Sequence, residues 1–269
     1  MNLTFAPERL EDRFAVESMT RDAFWDGGWT MEEKLPEEHY LVHLLRQSPL
    51  FIPELNLVAW LDGKIVGHVI YTKARLEDIN GVSHDGMVTF GPLTVHPDVQ
   101  SQGIARALLS HSFGVAKKLG YKGVAIYGHP NYYPRVGFVN AKQFGITTAD
   151  GKNFDAFMAY PLYDDALEGM HGMLLNDPVY ENIPYKDVCM FDKQFPEKLI
   201  HKPISAEVLL AVLNDCEQKA LSFMTGNALK MMTTRSEQEI RMMDGVTDET
   251  IESIDHVMRA HGYGWRNRA

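Results

Sequence analysis

The apolar patterns along the chain predict an α/β or α+β domain built on a mixed sheet, followed by a helical C-terminal region. Three observations carry this. Two apolar, partly β-branched runs, Leu55–Leu61 and Ile65–Tyr71, flank Asp62-Gly63, a dipeptide suited to a two-residue hairpin turn. A third such run, Met87–Val95, leads through a Gly-containing loop into a helix over Gly103–Leu119. Gly123–Tyr127 then reads as a buried strand, so the order is hairpin, strand, helix, strand.

The remaining elements follow in chain order. Leu3–Phe5 is a short strand, and Glu8–Phe24 carries Leu10, Phe14, Val16 and Met19 at helical spacing. A second helix covers Glu37–Arg46. The helix over Gly103–Leu119 ends in Lys117 and Lys118, which its dipole favours, and in Gly120, suited to a left-handed C-terminal position. Tyr163–Phe195 reads as irregular strand segments rich in Pro, Asp and Tyr. Ser205 caps a helix containing Val208, Leu209, Val212 and Leu213, and Ser236–Glu239 has the form of a capping box. Thr247 starts a last helix, with Ile251, Ile254, Val257 and Met258 on one face. The expected division is residues 1–162, a strand-rich extension over 163–204 and a helical region over 205–269.

Composition narrows the function. The chain has 269 residues, 45% apolar, with a formal net charge of -10. An acidic surface repels phosphate backbones and weakly attracts cationic amines, so nucleic acid is not the expected partner. The helices around Gly245 have the spacing of a helix-turn-helix, but beyond Thr234 the acids Glu237, Glu239, Asp244, Asp248, Glu249, Glu252 and Asp255 outnumber the arginines. Packing, homodimerisation or covering a substrate suits that region better. Cys189 and Cys216 are too few for a disulfide framework or a thiolate zinc site. The start MNLTFAPERLEDRF lacks a signal-peptide pattern, and no apolar run approaches 18 residues. A cytoplasmic protein without membrane spans is expected. His39 and His43 stand at i and i+4, yet no acidic residue completes a known metal pattern, so no metal is expected. Met224, Met231, Met232, Met242 and Met243 read as core filling.

The stretch that bears on chemistry is Gly91–Leu109. In Gln100-Ser-Gln-Gly-Ile-Ala105 a glycine and small residues meet a helix start. Backbone N–H groups backed by a helix dipole there can hold a diphosphate, although the same feature also serves as a plain tight turn. Neither G-x-x-x-x-G-K-[ST] nor G-x-G-x-x-G is present. Gln100-x-x-Gly103-x-Ala105 resembles the Q/R-x-x-G-x-G/A signature with which GNAT N-acetyltransferases hold the coenzyme A pyrophosphate. Leu93-Thr-Val-His-Pro97 is similar to the family's fourth strand. Asn131-Tyr-Tyr-Pro-Arg-Val-Gly-Phe138 resembles its Y-x-x-x-G-F element. The resemblance covers about residues 3–162, and Ala105 stands where a second glycine is usual.

The resemblance implies a GNAT fold, with a mostly antiparallel mixed sheet flanked by helices, and transfer of acetyl from acetyl-CoA to a small-molecule or peptide amine. Acetyl-CoA would lie against the backbone of Leu93, Thr94 and Val95. It would also meet Gln100, Ser101, Gln102, Gly103, Ile104, Ala105 and Arg106 at the loop and helix start, and Asn131. Tyr133 matches the tyrosine placed near the coenzyme sulfur as general acid; a phenol is protonated at neutral pH and can donate to a thiolate. The residues alone also allow Tyr133 a packing role. Phe90-Gly-Pro-Leu93 offers no carboxylate for a general base, and His84, Asp85 and His129 are the nearby titratable groups. The missing carboxylate keeps open a non-catalytic, ligand-sensing member of the fold.

Overall fold

The computed structural model describes residues 2–25, 35–198, 237–242 and 245–260. Leu3–Pro7 (β1) pairs antiparallel with Leu57–Leu61 (β2), which returns through Asp62-Gly63 as Lys64–Glu77 (β3). Both turn residues have positive φ, 48° and 82°, the conformation a two-residue hairpin asks for. Ser83–Val95 (β4) pairs antiparallel with β3, and Gly123–Tyr127 (β5) runs parallel to β4. Val139–Asn140 (β6), Ile146–Thr147 (β7), Phe157–Pro161 (β8) and Gly172–Leu175 (β9) complete a nine-stranded sheet. Its order is β1-β2-β3-β4-β5-β8-β6, with β9 paired to β3 and β7. Only the β4–β5 and β7–β9 pairings are parallel among the described strands, so the sheet is mixed and mostly antiparallel.

The described helices are Arg13–Trp25 (α1), Glu38–Leu45 (α2), Ile104–Lys118 (α3), Tyr185–Asp192 (α4), Glu237–Arg241 (α5) and Asp248–Ala260 (α6). Strand alternation gives the sheet two buried faces. Val69, Tyr71, Val88, Phe90, Val124 and Ile126 pack with Leu108, Leu109 and Phe113 of α3. On the other face, Ile70 joins Val16 of α1 and Val42 and Leu45 of α2, while Ala74, Met87, Ala125 and Phe157 meet Leu167, Met170 and Leu174.

Three expectations change. The first helix begins at Arg13 rather than Glu8, and Leu10 and Phe14 are exposed, 74% and 52%. Glu8 is withdrawn from the helix because its N–H donates to the Asn56 carbonyl (2.8 Å) and its carboxylate takes the Arg46 guanidinium. The boundary expected at Leu162 falls inside a compact unit made of Met1–Ala23 and Glu37–Asp192. β9 joins β3 through Arg75↔Leu175, Leu76↔Leu174 and Glu77↔Met173, and 185–192 is helical rather than irregular strand. Phe24–Pro36 and Lys193–Ala269 form the second unit. In it, Thr250 N–H donates to Thr247 Oγ1 (3.1 Å) and Thr247 N–H to Thr250 Oγ1 (3.0 Å), a reciprocal cap for α6, whose Ile251, Ile254, Val257 and Met258 are buried. The caps read at Ser205 and Ser236, together with Met224, Met231, Met232, Met243 and Cys216, lie outside the described residues. Met242 is exposed.

A buried polar network ties α1 and α2 to the sheet. Arg46 Nε donates to Glu8 Oε2 (2.8 Å), and its two terminal nitrogens reach Glu8 and Glu17. Asn56 Nδ2 donates to Glu8 Oε2 (2.7 Å), which leaves Asn56 Oδ1 to accept from His68 Nε2 (2.7 Å). His68 is fully buried; burial, then the Arg46 charge, holds its pKa well below 6.5. The unfolded chain therefore binds a proton at His68 that the folded one does not, and stability falls as pH drops below about 6.5. His68→Gln is expected to flatten the loss of melting temperature between pH 7 and pH 5 relative to the native chain. An unchanged pH slope would remove His68 from this account.

Candidate functional site

β4 and β5 share two residue pairs, Met87↔Gly123 and Val88↔Val124. Beyond them β4 stays with β3, from Tyr71↔Phe90 to Gly67↔Val95, while β5 stays with β8 as far as Tyr127↔Phe157. Between Val69 and Tyr71, β4 carries one residue more than β3, a bulge at Gly91-Pro92 that bends the strand away. His96 N–H donates to the Val66 carbonyl (2.9 Å), so alternation turns the backbone groups of Val95 and Leu93 to the opposite edge, facing the gap. Gln100 Nε2 fits this arrangement, donating to Val95 O (3.1 Å).

After one helical turn at Pro97–Val99 the chain reaches the loop. Ser101 and Gly103 both have positive φ, 64° and 84°, and Ser101, Gln102 and Gly103 are exposed. Gly103 is the N-cap of α3 and supplies no side-chain cap. Ala107 N–H donates to Gly103 O (3.0 Å), so the N–H groups of Ile104, Ala105 and Arg106 precede the helical ladder and sit at the positive end of its dipole. A Cβ built on Gly103 meets no protein atom within 4 Å, so the ground in front of the loop is open. Ile104 points into the core, which anchors the first turn, and Arg106 is exposed.

Tyr133 reaches the same gap from the turn Tyr133–Val136. Its ring packs against Phe90 of β4 (6.0 Å between centroids), edge-on to Phe138 (5.4 Å) and Tyr132 (5.0 Å). It also lies over Gly128, just past β5, where a Cβ would come within 2.3 Å of Tyr133 Cε2. Burial in this aromatic setting raises the phenol pKa well above its ordinary value of about 10, so the group stays protonated at neutral pH. Arg106 lies close enough for its charge to oppose the effect of burial on neighbouring Tyr132.

The structure thus gathers Leu93, Val95, the Gln100–Arg106 loop and Tyr133 around one opening. Thr94 is not among them: its side chain crosses to α1, with Oγ1 3.1 Å from Thr20 Oγ1, and alternation turns its N–H to β3. Gln100 contributes by holding the loop to the strand edge. Asn131 is exposed, its N–H donating to His129 Nδ1 (3.2 Å). His39 and His43 do not converge on a metal. His39 Nε2 lies 3.1 Å from Asp192 Oδ1, and His43 Nδ1 lies 3.3 Å from Glu17 Oε1. No group of three or more His, Cys, Asp or Glu able to hold a metal occurs among the described residues. Nor does any helix among them have the length and apolarity to cross a membrane. Gly128 was not singled out by sequence; the packed ring of Tyr133, and behind it Ile126, gives the reason for a glycine there.

The family model for the acetyltransferase (GNAT) family matches residues 19–145, a span that contains the splayed strand, the loop, α3 and Tyr133. The uncharacterized N-acetyltransferase YhbS of Escherichia coli (strain K12) is 33% identical over 140 residues, 51% of this chain and 79% of that protein. The chain belongs to the GNAT acetyltransferase family. The uncharacterized N-acetyltransferase YjhQ of E. coli (strain K12) is 32% identical over 102 residues, 38% of this chain; the match spans only 55% of YjhQ. The crystal structure of E. coli YhbS in complex with CoA superposes with a TM-score of 0.58 at 26% identity, covering 68% of this chain and 94% of that one.

Gly103→Val tests the loop. The substitution forces a β-branched side chain into a left-handed conformation and into the open ground before α3. Calorimetry is expected to show acetyl-CoA affinity reduced by at least about tenfold, with a loss of stability limited to about 1–2 kcal/mol. Unchanged affinity would exclude this loop as the diphosphate site.

Proposed function

We propose that this protein transfers the acetyl group of acetyl-CoA to an amine by direct attack of the nitrogen on the thioester. The observation that carries the reading is the gap between β4 and β5, edged by the backbone of Leu93 and Val95 and leading to the open N-terminus of α3. The CoA complex of the related YhbS structure supports it. The diphosphate would lie at the N–H groups of residues 101–106, with the pantetheine arm along β4 as an added strand. An inward N–H at Leu93 or Val95 would stabilise the oxyanion as the tetrahedral carbon forms.

In this reaction the new N–C bond replaces the C–S bond, and the proton lost by the amine ends on sulfur. Tyr133 holds its proton more tightly than an ordinary thiol near 8.5 does. Its part is therefore to donate a hydrogen bond to the departing sulfur and to relay the amine's proton, rather than to give up its own outright. The second reading, a family member that binds CoA without turnover, draws on the absence of a carboxylate along Phe90–Leu93.

A screen of free-CoA release from acetyl-CoA over a panel of amines separates the two. If Tyr133 donates to sulfur, Tyr133→Phe is expected to lower kcat by about 10²-fold with acetyl-CoA affinity nearly intact. Gly128→Ala, which must push the same ring aside, is expected to act in the same direction. With the pKa raised, turnover in the native enzyme is expected not to fall through tyrosine ionisation near pH 10. Wild-type turnover in a folded Tyr133→Phe variant would remove the tyrosine from the mechanism.

A further inference from the structure

The two faces of the gap are furnished differently. The phosphate-type loop and the Tyr133 ring lie on the α3 face, where Phe90 points. The opposite face is covered by α1 and α2 and, beside the bulge, by chain that lies beyond the family match. There β9 pairs with residues 75–77, and Asp177 caps the turn Pro178–Tyr180 by accepting the Val179 N–H (3.0 Å) while also accepting the Ser48 hydroxyl. This turn sets Tyr180 beside the bulge. A methyl group on Gly91 would lie 3.8 Å from Tyr180 Cε1, and Thr72 Oγ1 donates to the Tyr180 oxygen (3.4 Å).

Across the gap, Tyr127 ends β5 on the same face as Thr72, stacked on Phe157 (5.0 Å) and still 50% exposed. Tyr127, at the end of β5, and Tyr180, on the turn beside the β4 bulge, therefore stand on the two sides of the gap. Glu181, exposed, follows Tyr180 directly. Burial, then the charges of Glu181 and Asp150, raise the Tyr127 phenol above its ordinary pKa, which puts both carboxylates within electrostatic reach of that ring. Asp150 is already engaged by Lys152 (2.6 Å) and Thr148. Glu181 has no such ion pair among the described residues.

We infer that the acceptor enters from this face, flanked by Tyr127 and Tyr180, and that Glu181 binds its positive charge. The substrate class is then an aliphatic amine that is cationic in solution, sheds one proton to solvent before its neutral nitrogen attacks, and carries no carboxylate, since a carboxylate would meet Glu181. A half-exposed aromatic ring, a second ring beside the bulge and one carboxylate suit an ammonium group with an apolar body. This deepens the acetyltransferase reading and depends on it. Glu181 is a positioning and specificity residue, and the chain's net charge of -10 works in the same direction.

The test uses the full chain with spermidine, 2-phenylethylamine and L-glutamate as probes. Acetyl-CoA binding is measured by calorimetry, amine binding by titration into CoA-saturated protein, and turnover by CoA release. The native chain is expected to bind and acetylate a cationic probe in preference to glutamate. Glu181→Gln is expected to raise KM for that probe by about tenfold, with a smaller change in kcat and none in acetyl-CoA affinity, and Glu181→Asp to recover part of the loss. Wild-type KM in Glu181→Gln, a preference for glutamate, or binding of acetyl-CoA with no amine bound or acetylated would overturn the inference. Failure to bind acetyl-CoA would instead overturn the acetyltransferase reading beneath it.

Discussion

Everything at the candidate site depends on two strands that separate early. β4 and β5 are joined at two residue pairs and then follow different neighbours, β4 with β3 and β5 with β8. A sheet interior normally pairs every backbone group, because an unpaired buried amide costs about 1–3 kcal/mol. Here the bulge at Gly91-Pro92 opens a slot with strand-like edges, and that cost is tolerable only if water or a ligand pairs with the edges. The slot suits an extended arm better than a compact ligand.

The surroundings keep the slot in shape. On one face, α3 is held by Ile104 and Leu108 in the core, so its N-terminus is fixed beside the end of β4. Gln100 adds a side-chain bond from the loop to Val95 O. On the other face the Arg46–Glu8–Glu17 network and the Thr20–Thr94 contact clamp α1 and α2 to the sheet. Removing one partner from such a buried ion pair costs about 3–5 kcal/mol, because the remaining charge is stranded. The wall at Tyr180 is secured by Asp177, which caps the turn and holds Ser48. The α3 face of the slot thus lies within the family match, whereas the opposite face adds Asp177 and Tyr180 from beyond it to α1 and α2.

Features set by neighbours in sequence were legible. Asp62-Gly63 dictated the hairpin, Gly103 marked the start of α3 and Gly120 its end, and Thr247 capped α6, since each depends on the local backbone. The loop and Tyr133 could be picked out together because two motifs stood in the right order. Features set by distant partners were not. β3 extends through Lys73, Arg75 and Glu77, residues without an apolar run, because β4 pairs with it as far as Glu77 and β9 supplies a further partner about a hundred residues later. The first helix starts late because Glu8 is claimed by Arg46. The aromatic pair Tyr127 and Tyr180 is 53 residues apart in sequence, and only the register of β5 and the turn after β9 bring it to one mouth.

The central claim is that the opened edge of β4 and the start of α3 form one continuous acetyl-CoA site. Residue-resolved amide hydrogen exchange, with and without saturating acetyl-CoA, tests it most directly. The account predicts new protection at Leu93 and Val95 and across residues 101–106, with little change at Thr94 and in the β1–β2 ladder, whose amides are already bonded. Protection confined to other elements, or none at Leu93 and Val95 in a protein shown to bind acetyl-CoA, would contradict it.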